Sequence, residues 1–342
     1  MNRRLIIIAV VGAVILAMIG GLLAWAVSKQ NQTQTPVVTI PKLKKILDEA
    51  VISPVGSLDN NGIWYFTPAG HLFRASTDGT GPSEYPLPAL RGNLVRVLWP
   101  KSGSDFLAIS NANQTQSKSF YDSVRKIYIN FPSNVAYLDW LPDSQRVLYI
   151  WVADDQAHQS LVMANADGTG FTKVTDVFWS DLIVKAAPDG KQALLYRANV
   201  LGDTNKIYLV DLTSGVITTV IESGRNTAAT WLPSGNKFVY EQSTGSAYPK
   251  LALYDLTAKS SQDLNLNTNL NKIVIDASAK WLYGALPKKD GSGDSFVKLD
   301  LTTLKQESYI EPADPVRGTN LMLVGNTLYF INSRDGKLYA IE

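Results

Sequence analysis

The chain offers two histidines, His71 and His158, and no cysteine. Thiolate nucleophiles, thiolate zinc sites, disulfides and lipidated cysteines are thereby excluded. An imidazole works as a base or ligand only with a partner beside it. His71 follows a turn glycine and opens a strand-like run, whereas His158 sits in a polar loop. They fall in different segments with no legible acidic partner and read as surface residues. Asp290-Gly-Ser-Gly-Asp294 brings two carboxylates close, as a calcium loop does. The D-x-[DN]-x-[DN]-G spacing and the closing glutamate are absent, so it reads as a Gly-rich turn. There is no G-x-S-x-G elbow and no H-E-x-x-H helix. Residue types alone therefore assign no catalytic group, metal or cofactor.

The elements that would position any site are more legible. Seven copies of one phrase recur at steps of 41 to 47 residues, anchored at Ile63, Phe106, Val147, Ala193, Phe238, Trp281 and Leu328. Each anchor opens a short apolar run such as IWYF, VLYI or FVYE, which suits a strand buried on both faces. Seven residues before each anchor lie Gly56, Trp99, Trp140, Ala186, Trp231, Val274 and Leu321. The three tryptophans suit a contact where neighbouring modules stack. Trp140-Leu-Pro-Asp-Ser and Trp231-Leu-Pro-Ser-Gly carry tight-turn chemistry. Third runs are expected to begin at Leu72, Ile127, Leu161, Ile207, Leu251, Phe296 and Leu338. Several end in a carboxylate before a second turn, as at Asp211, Asp255 and Asp300. A period in the forties with three or four strands per copy marks a β-propeller. The expected fold is all-β: seven four-stranded antiparallel blades preceded by one N-terminal transmembrane helix.

The phrase WLPSGNKFVYE…LALYDLTAK resembles the TolB-like, WD40-like (PD40-type) propeller repeat, W-S-P-D-G-K-x-I-x-Y…I-Y-x-x-D-x-x-T-G. The likeness covers residues 51 to 342 and is clearest in copies three, four and five. Leu141 and Leu232 stand where the family turn has serine. The motif is a folding signature, so the resemblance implies a propeller and carries over no catalytic residue.

Leu5 to Val27 is uncharged over 23 residues. As a helix it would be about 34 Å long, enough for a ~30 Å hydrocarbon core. Arg3 and Arg4 precede it, which sets the N-terminus inside and the propeller outside. The expected organisation is a cytoplasmic tip at 1–4, a single-pass signal anchor in the cell membrane at 5–27, a flexible stalk at 28–36 and the propeller at 37–342. Cleavage after Ala26 stays open as an alternative, although a signal-peptide core is normally shorter. The last copy stops at Glu342 after its third run. Val37-Val38-Thr39-Ile40, a β-branched run between Pro36 and Pro41, is expected to close the seventh blade. Lys42 to Glu49 would then cross the ring as a helical turn or as an extended link.

Net charge is +2 and charged residues are 18%, so no basic stripe points to nucleic acid. Loops between second and third strands vary most, with about fifteen residues expected from Asn111 to Arg125. Long loops on a rigid ring are where binding residues concentrate. Tyr121, Trp151, Asp154, Asp155, His158, Tyr248 and Lys288 are the expected binding set. The expected function is an extracytoplasmic binding or scaffolding module for an envelope protein, peptide or glycan. Two alternatives stand beside it. One is a metal-dependent hydrolase or lactonase with acidic and amide side chains at the channel mouth. The other is a purely structural envelope component.

Overall fold

The computed structural model describes residues 41–112, 115–179, 181–197, 205–222, 228–243 and 245–342. The expected tip, membrane anchor and stalk lie outside them. No helix among the described residues is long and apolar enough to cross a membrane.

Strand β1 (Leu43–Ala50) precedes six blades that each use four consecutive strands. Blade one holds β2 (Ile52–Gly56), β3 (Gly62–Phe66), β4 (Leu72–Ser76) and β5 (Ser83–Tyr85). Blade two holds β6 (Asn93–Leu98), β7 (Phe106–Ala112), β8 (Thr115–Asp122) and β9 (Ile127–Asn130). Blade three holds β10 (Val135–Trp140), β11 (Arg146–Val152), β12 (Gln159–Asn165) and β13 (Thr172–Val177). Blade four holds β14 (Leu182–Ala186), β15 (Gln192–Arg197), β16 (Ile207–Asp211) and β17 (Ile217–Ile221). Blade five holds β18 (Ala229–Trp231), β19 (Lys237–Gln242), β20 (Lys250–Asp255) and β21 (Ser260–Asn267). Blade six holds β22 (Ile273–Ile275), β23 (Trp281–Pro287), β24 (Asp294–Asp300) and β25 (Gln306–Ile310). Blade seven combines β26 (Gly318–Val324), β27 (Thr327–Asn332) and β28 (Lys337–Ile341) with β1, in the order β1-β28-β27-β26. The fold is a seven-bladed propeller of four-stranded antiparallel blades.

The apolar second strands are explained by two-sided burial. Along β15, Ala193 and Leu195 pack toward blade three with Leu148, Ile150 and Leu161. Leu194 and Tyr196, alternating with them, pack toward blade five with Phe238 and Tyr240. Strand periodicity of two puts successive side chains on opposite faces, so a strand between two neighbours needs apolar residues at every position. Among the described residues there are seven such clusters, one at each blade-to-blade interface. Blades three to six also share a register shift between third and fourth strands, at Leu161, Ile207, Leu251 and Phe296. These are equivalent repeat positions, and a bulge there increases local twist and fixes register.

The tryptophans do more than fill interfaces. The Trp99 indole N–H donates to the Ser53 carbonyl at 2.7 Å, Trp140 to Leu98 at 2.8 Å and Trp231 to Lys185 at 3.0 Å. Each acceptor lies on the innermost strand of the preceding blade, so each indole pins two blades beside the axis. In blade four, where Ala186 replaces tryptophan, the Ala186 N–H instead donates to the Asp139 carboxylate of blade three at 3.2 Å.

Two expectations are corrected. The strand that closes blade seven is Leu43–Ala50; Val37 to Ile40, expected in that role, lie outside the described residues. Leu43, Lys44 and Lys45 pair with Ile341, Ala340 and Tyr339. A register shift before Ala50 lets both Ile46 and Leu47 turn inward to the blade-seven and blade-one core. Lys44, Lys45, Asp48 and Glu49 made this segment look like a helix or link, but charges on an outermost strand also guard an open edge. In blade two, Ile127 opens the fourth strand. The third is Thr115–Asp122, which pairs with β7 from Phe106↔Tyr121 to Ala112↔Thr115. Ser119 and Asn130 hydrogen-bond to each other at 2.8 Å, so the polar third strand is satisfied within its own blade.

Candidate functional site

Antiparallel order puts the second-to-third loops and the blade-to-blade loops on one face, here the loop face. First-to-second and third-to-fourth turns lie on the opposite, turn face. Contacts across the connections agree. On the loop face, the Asn134 side-chain amide donates to Asp154 at 2.8 Å and Lys288 pairs with Glu311 at 2.5 Å. On the turn face, the Ser102 N–H donates to the Ser144 hydroxyl at 3.0 Å.

Of the expected binding residues, Trp151, Asp154, Asp155, His158, Tyr248 and Lys288 sit at the loop end of blades three, five and six. Trp151 is half-buried at the end of β11 against the blade-two and blade-three core. Asp154 and Asp155 occupy the exposed turn that follows. Asp155 accepts the His158 ring nitrogen at 2.5 Å and the Ala157 N–H at 2.9 Å. The His158 hydrogen bond is the largest cause holding its carboxyl below the usual range. Lys288 is committed to Glu311, whose carboxyl that bond likewise draws down. Tyr248 is 40% exposed. Tyr121 does not belong to this set. It lies in β8, 1% exposed, with its ring stacked on Phe106 at 4.7 Å. The apolar pairing of Phe120 and Tyr121 with β7 overrides the loop expected there.

The sequence reading passed over Phe178 and Trp179, between β13 and β14 on the same face. Phe178 is 84% exposed, while Trp179 stacks on Tyr208 at 4.2 Å. Adjacent aromatics in a blade-to-blade connection were the available signal. His71 and His158 each have one carboxylate, Glu84 at 2.7 Å, thirteen residues on across blade one, and Asp155, three residues earlier in the same turn. Both pairs are solvent-exposed.

The central channel contains a cavity of about 610 Å³ lined by innermost strands of blades one, two, four and seven. Arg96 and Lys185 are its charged residues, and no carboxylate lines it. Such a wall repels a divalent cation rather than holding one. Asp139, also on an innermost strand, is occupied by the Ala186 N–H. Among the described residues, no group of three or more His, Cys, Asp or Glu is placed to hold a metal ion. Buried carboxylates are engaged in the scaffold. Glu241, whose carboxyl burial pushes up, accepts the Leu270 N–H at 2.6 Å. Third-strand aspartates hold turns: Asp211 accepts Thr213 and Ser214 N–H groups at 2.9 and 2.7 Å.

No family model matches the chain, and no curated protein does at a significant level. Solved structures do. An oligogalacturonate lyase in complex with manganese is 11% identical, with 89% of this chain and 94% of that one covered and a TM-score of 0.64. The β-propeller domain of Cps50 (Swd1) from Myceliophteria thermophila is 8% identical over 88% of this chain and 99% of that domain, with a TM-score of 0.63. TolB from Acinetobacter baumannii is 15% identical over 84% of this chain and 78% of that one, at a TM-score of 0.48. Its seven four-stranded sheets make this protein a seven-bladed β-propeller, and the first two likenesses, at such identity, extend to fold alone.

Proposed function

We propose that this propeller is a binding or scaffolding module that docks an envelope protein, peptide or glycan on the loop face over blades three to five. Leu5 to Val27 would tether it to the cell membrane, with the N-terminus cytoplasmic and the ring outside. The observation that carries the reading is that Phe178, 84% exposed, Tyr248, 40% exposed, and the half-buried Trp151 all lie at the loop ends of blades three to five. Exposed aromatics beside carboxylates such as Asp154 and Asp155 suit interface anchors with a polar rim. The carboxylate-free lining of the described channel cavity, with Arg96 and Lys185, supports binding over metal-dependent catalysis.

The test is cross-linking capture from intact membranes with the wild-type chain and with Phe178→Ala/Tyr248→Ala. Partners held by this face are lost from the double variant and kept by Phe171→Ala, an exposed apolar control on the turn face. Identical partner sets from all three would overturn the assignment. Stoichiometric calcium, manganese or zinc on the purified chain would move the reading to a channel enzyme.

A further inference from the structure

On the turn face, blades one and two part around a cleft of about 390 Å³. That is within the size range of ligand sites. Trp64 and Tyr85 form one wall, meeting edge to face with ring centroids 5.9 Å apart. Trp99 lies on the blade-two side, and its indole N–H is already given to the Ser53 carbonyl, so only its ring is on offer. Leu58 stands at the mouth, 73% exposed. Tyr121 lines the interior, and its buried hydroxyl lies toward Tyr85 without reaching hydrogen-bond geometry. Burial, with Tyr85 adding to it, pushes this phenol up to about 12, so it keeps its proton at neutral pH. A buried donor without an acceptor is costly, and a native structure tolerates it best where a ligand supplies the acceptor.

Donors and acceptors at this cleft are unevenly spent. The Asp59 carboxylate already receives the Ser57 hydroxyl, the Asn61 N–H and the Arg74 guanidinium. The Tyr121 O–H is unspent. The complementary ligand brings flat apolar bulk and hydrogen-bond acceptors, and few donors. A sugar ring carries a donor on every hydroxyl. A proline carries a ring, a free carbonyl and no N–H. In the polyproline II form its carbonyls have no internal partner, and little ordering entropy is lost on docking between aromatic rings.

We propose that the cleft between blades one and two binds an extended proline-bearing peptide, with proline rings held by Trp64, Tyr85 and Trp99 and a peptide carbonyl accepting the Tyr121 hydroxyl. This site is on the opposite face from the loop-face surface and stands or falls separately from it. The test is calorimetric titration of the full-length chain with acetylated, amidated hexaproline, followed in parallel by tryptophan fluorescence. Maltohexaose provides the glycan arm. Hexaproline binds saturably and shifts the emission, Tyr121→Phe weakens it roughly fivefold, the worth of one neutral hydrogen bond, and Leu58→Arg abolishes it. Leu58 is exposed, so Leu58→Arg keeps the unfolding midpoint and reports on the cleft alone. Absence of saturable hexaproline binding, binding of maltohexaose instead, or hexaproline binding indifferent to both substitutions would each overturn the proposal.

Discussion

Gly79 measures how tightly the first strand is held. It lies in the third-to-fourth turn of blade one with φ +86°, and a Cβ there would collide with the Ile46 carbonyl of β1. Gly70 has the same φ, +86°, with open space around it. Alanine at either position meets the left-handed penalty of about 1–2 kcal/mol. Only Gly79→Ala must also displace the closing strand. The expected loss in urea unfolding is about 1 kcal/mol for Gly70→Ala and more than about 2 for Gly79→Ala. Equal losses would mean that β1 yields at no cost. Residue roles were unevenly legible. The tryptophans announced the interfaces, and the indole bonds to the preceding blade follow from their place beside the axis. Tyr121 was read on the wrong side of that division, because Phe120 and Tyr121 are followed by a turn and look like exposed loop aromatics. The cleft was invisible in the sequence, since its walls come from separate strands and turns of two blades.

Blades six and seven are joined by a buried charge as well as by apolar packing. Asp294, at the start of β24 and 2% exposed, pairs with Lys272 at 2.6 Å and accepts the Gly318 N–H of β26 at 2.7 Å. Removing the carboxylate leaves a mostly buried ammonium uncompensated and an inner-strand N–H without its acceptor. Breaking one partner of such a pair costs roughly 3–5 kcal/mol. Asp294→Ala is therefore expected to lower the urea midpoint far more than Asp290→Ala, four residues earlier in the exposed turn. Similar midpoints for the two variants would reduce Asp294 to a turn residue. Elements were legible wherever both faces of a strand are buried, because the apolar run is then continuous; every second-strand anchor falls within one residue of the observed start. Strands with one solvated face were harder. Thr115–Asp122 is polar at its loop end, and Leu43–Ala50 carries four charges around Ile46 and Leu47. In both, the pairing partner rather than the local pattern decides the conformation.

At the scale of the ring, repetition makes the fold legible and also sets its response to acid. Asp211, Asp255 and Asp300 end the third strands of blades four, five and six and accept backbone N–H groups of the turns that follow. Those bonds favour the charged form, and each carboxyl is held below its ordinary value, with the backbone bonds from Ser214, Ala258 and Thr303 as the largest causes. A folded-state pKa below the unfolded one means the unfolded chain binds more protons in the interval between them. The stabilisation is therefore complete above the unfolded value, about 3.9, and disappears as pH falls through the folded values. Glu241 acts in the opposite sense, because burial raises its carboxyl and mild acid relieves it. The urea midpoint is accordingly expected to hold or rise slightly from pH 7 to about 5 and then to fall steeply below about 4. Because each blade touches only its neighbours, losses in adjacent blades add along the ring. Asp211→Asn/Asp255→Asn/Asp300→Asn keeps an acceptor at each turn but removes the titration, so its midpoint starts lower at pH 7 and declines less below pH 4. An acid limb as steep in this variant as in the wild type would show that the repeat aspartates do not govern the acid response.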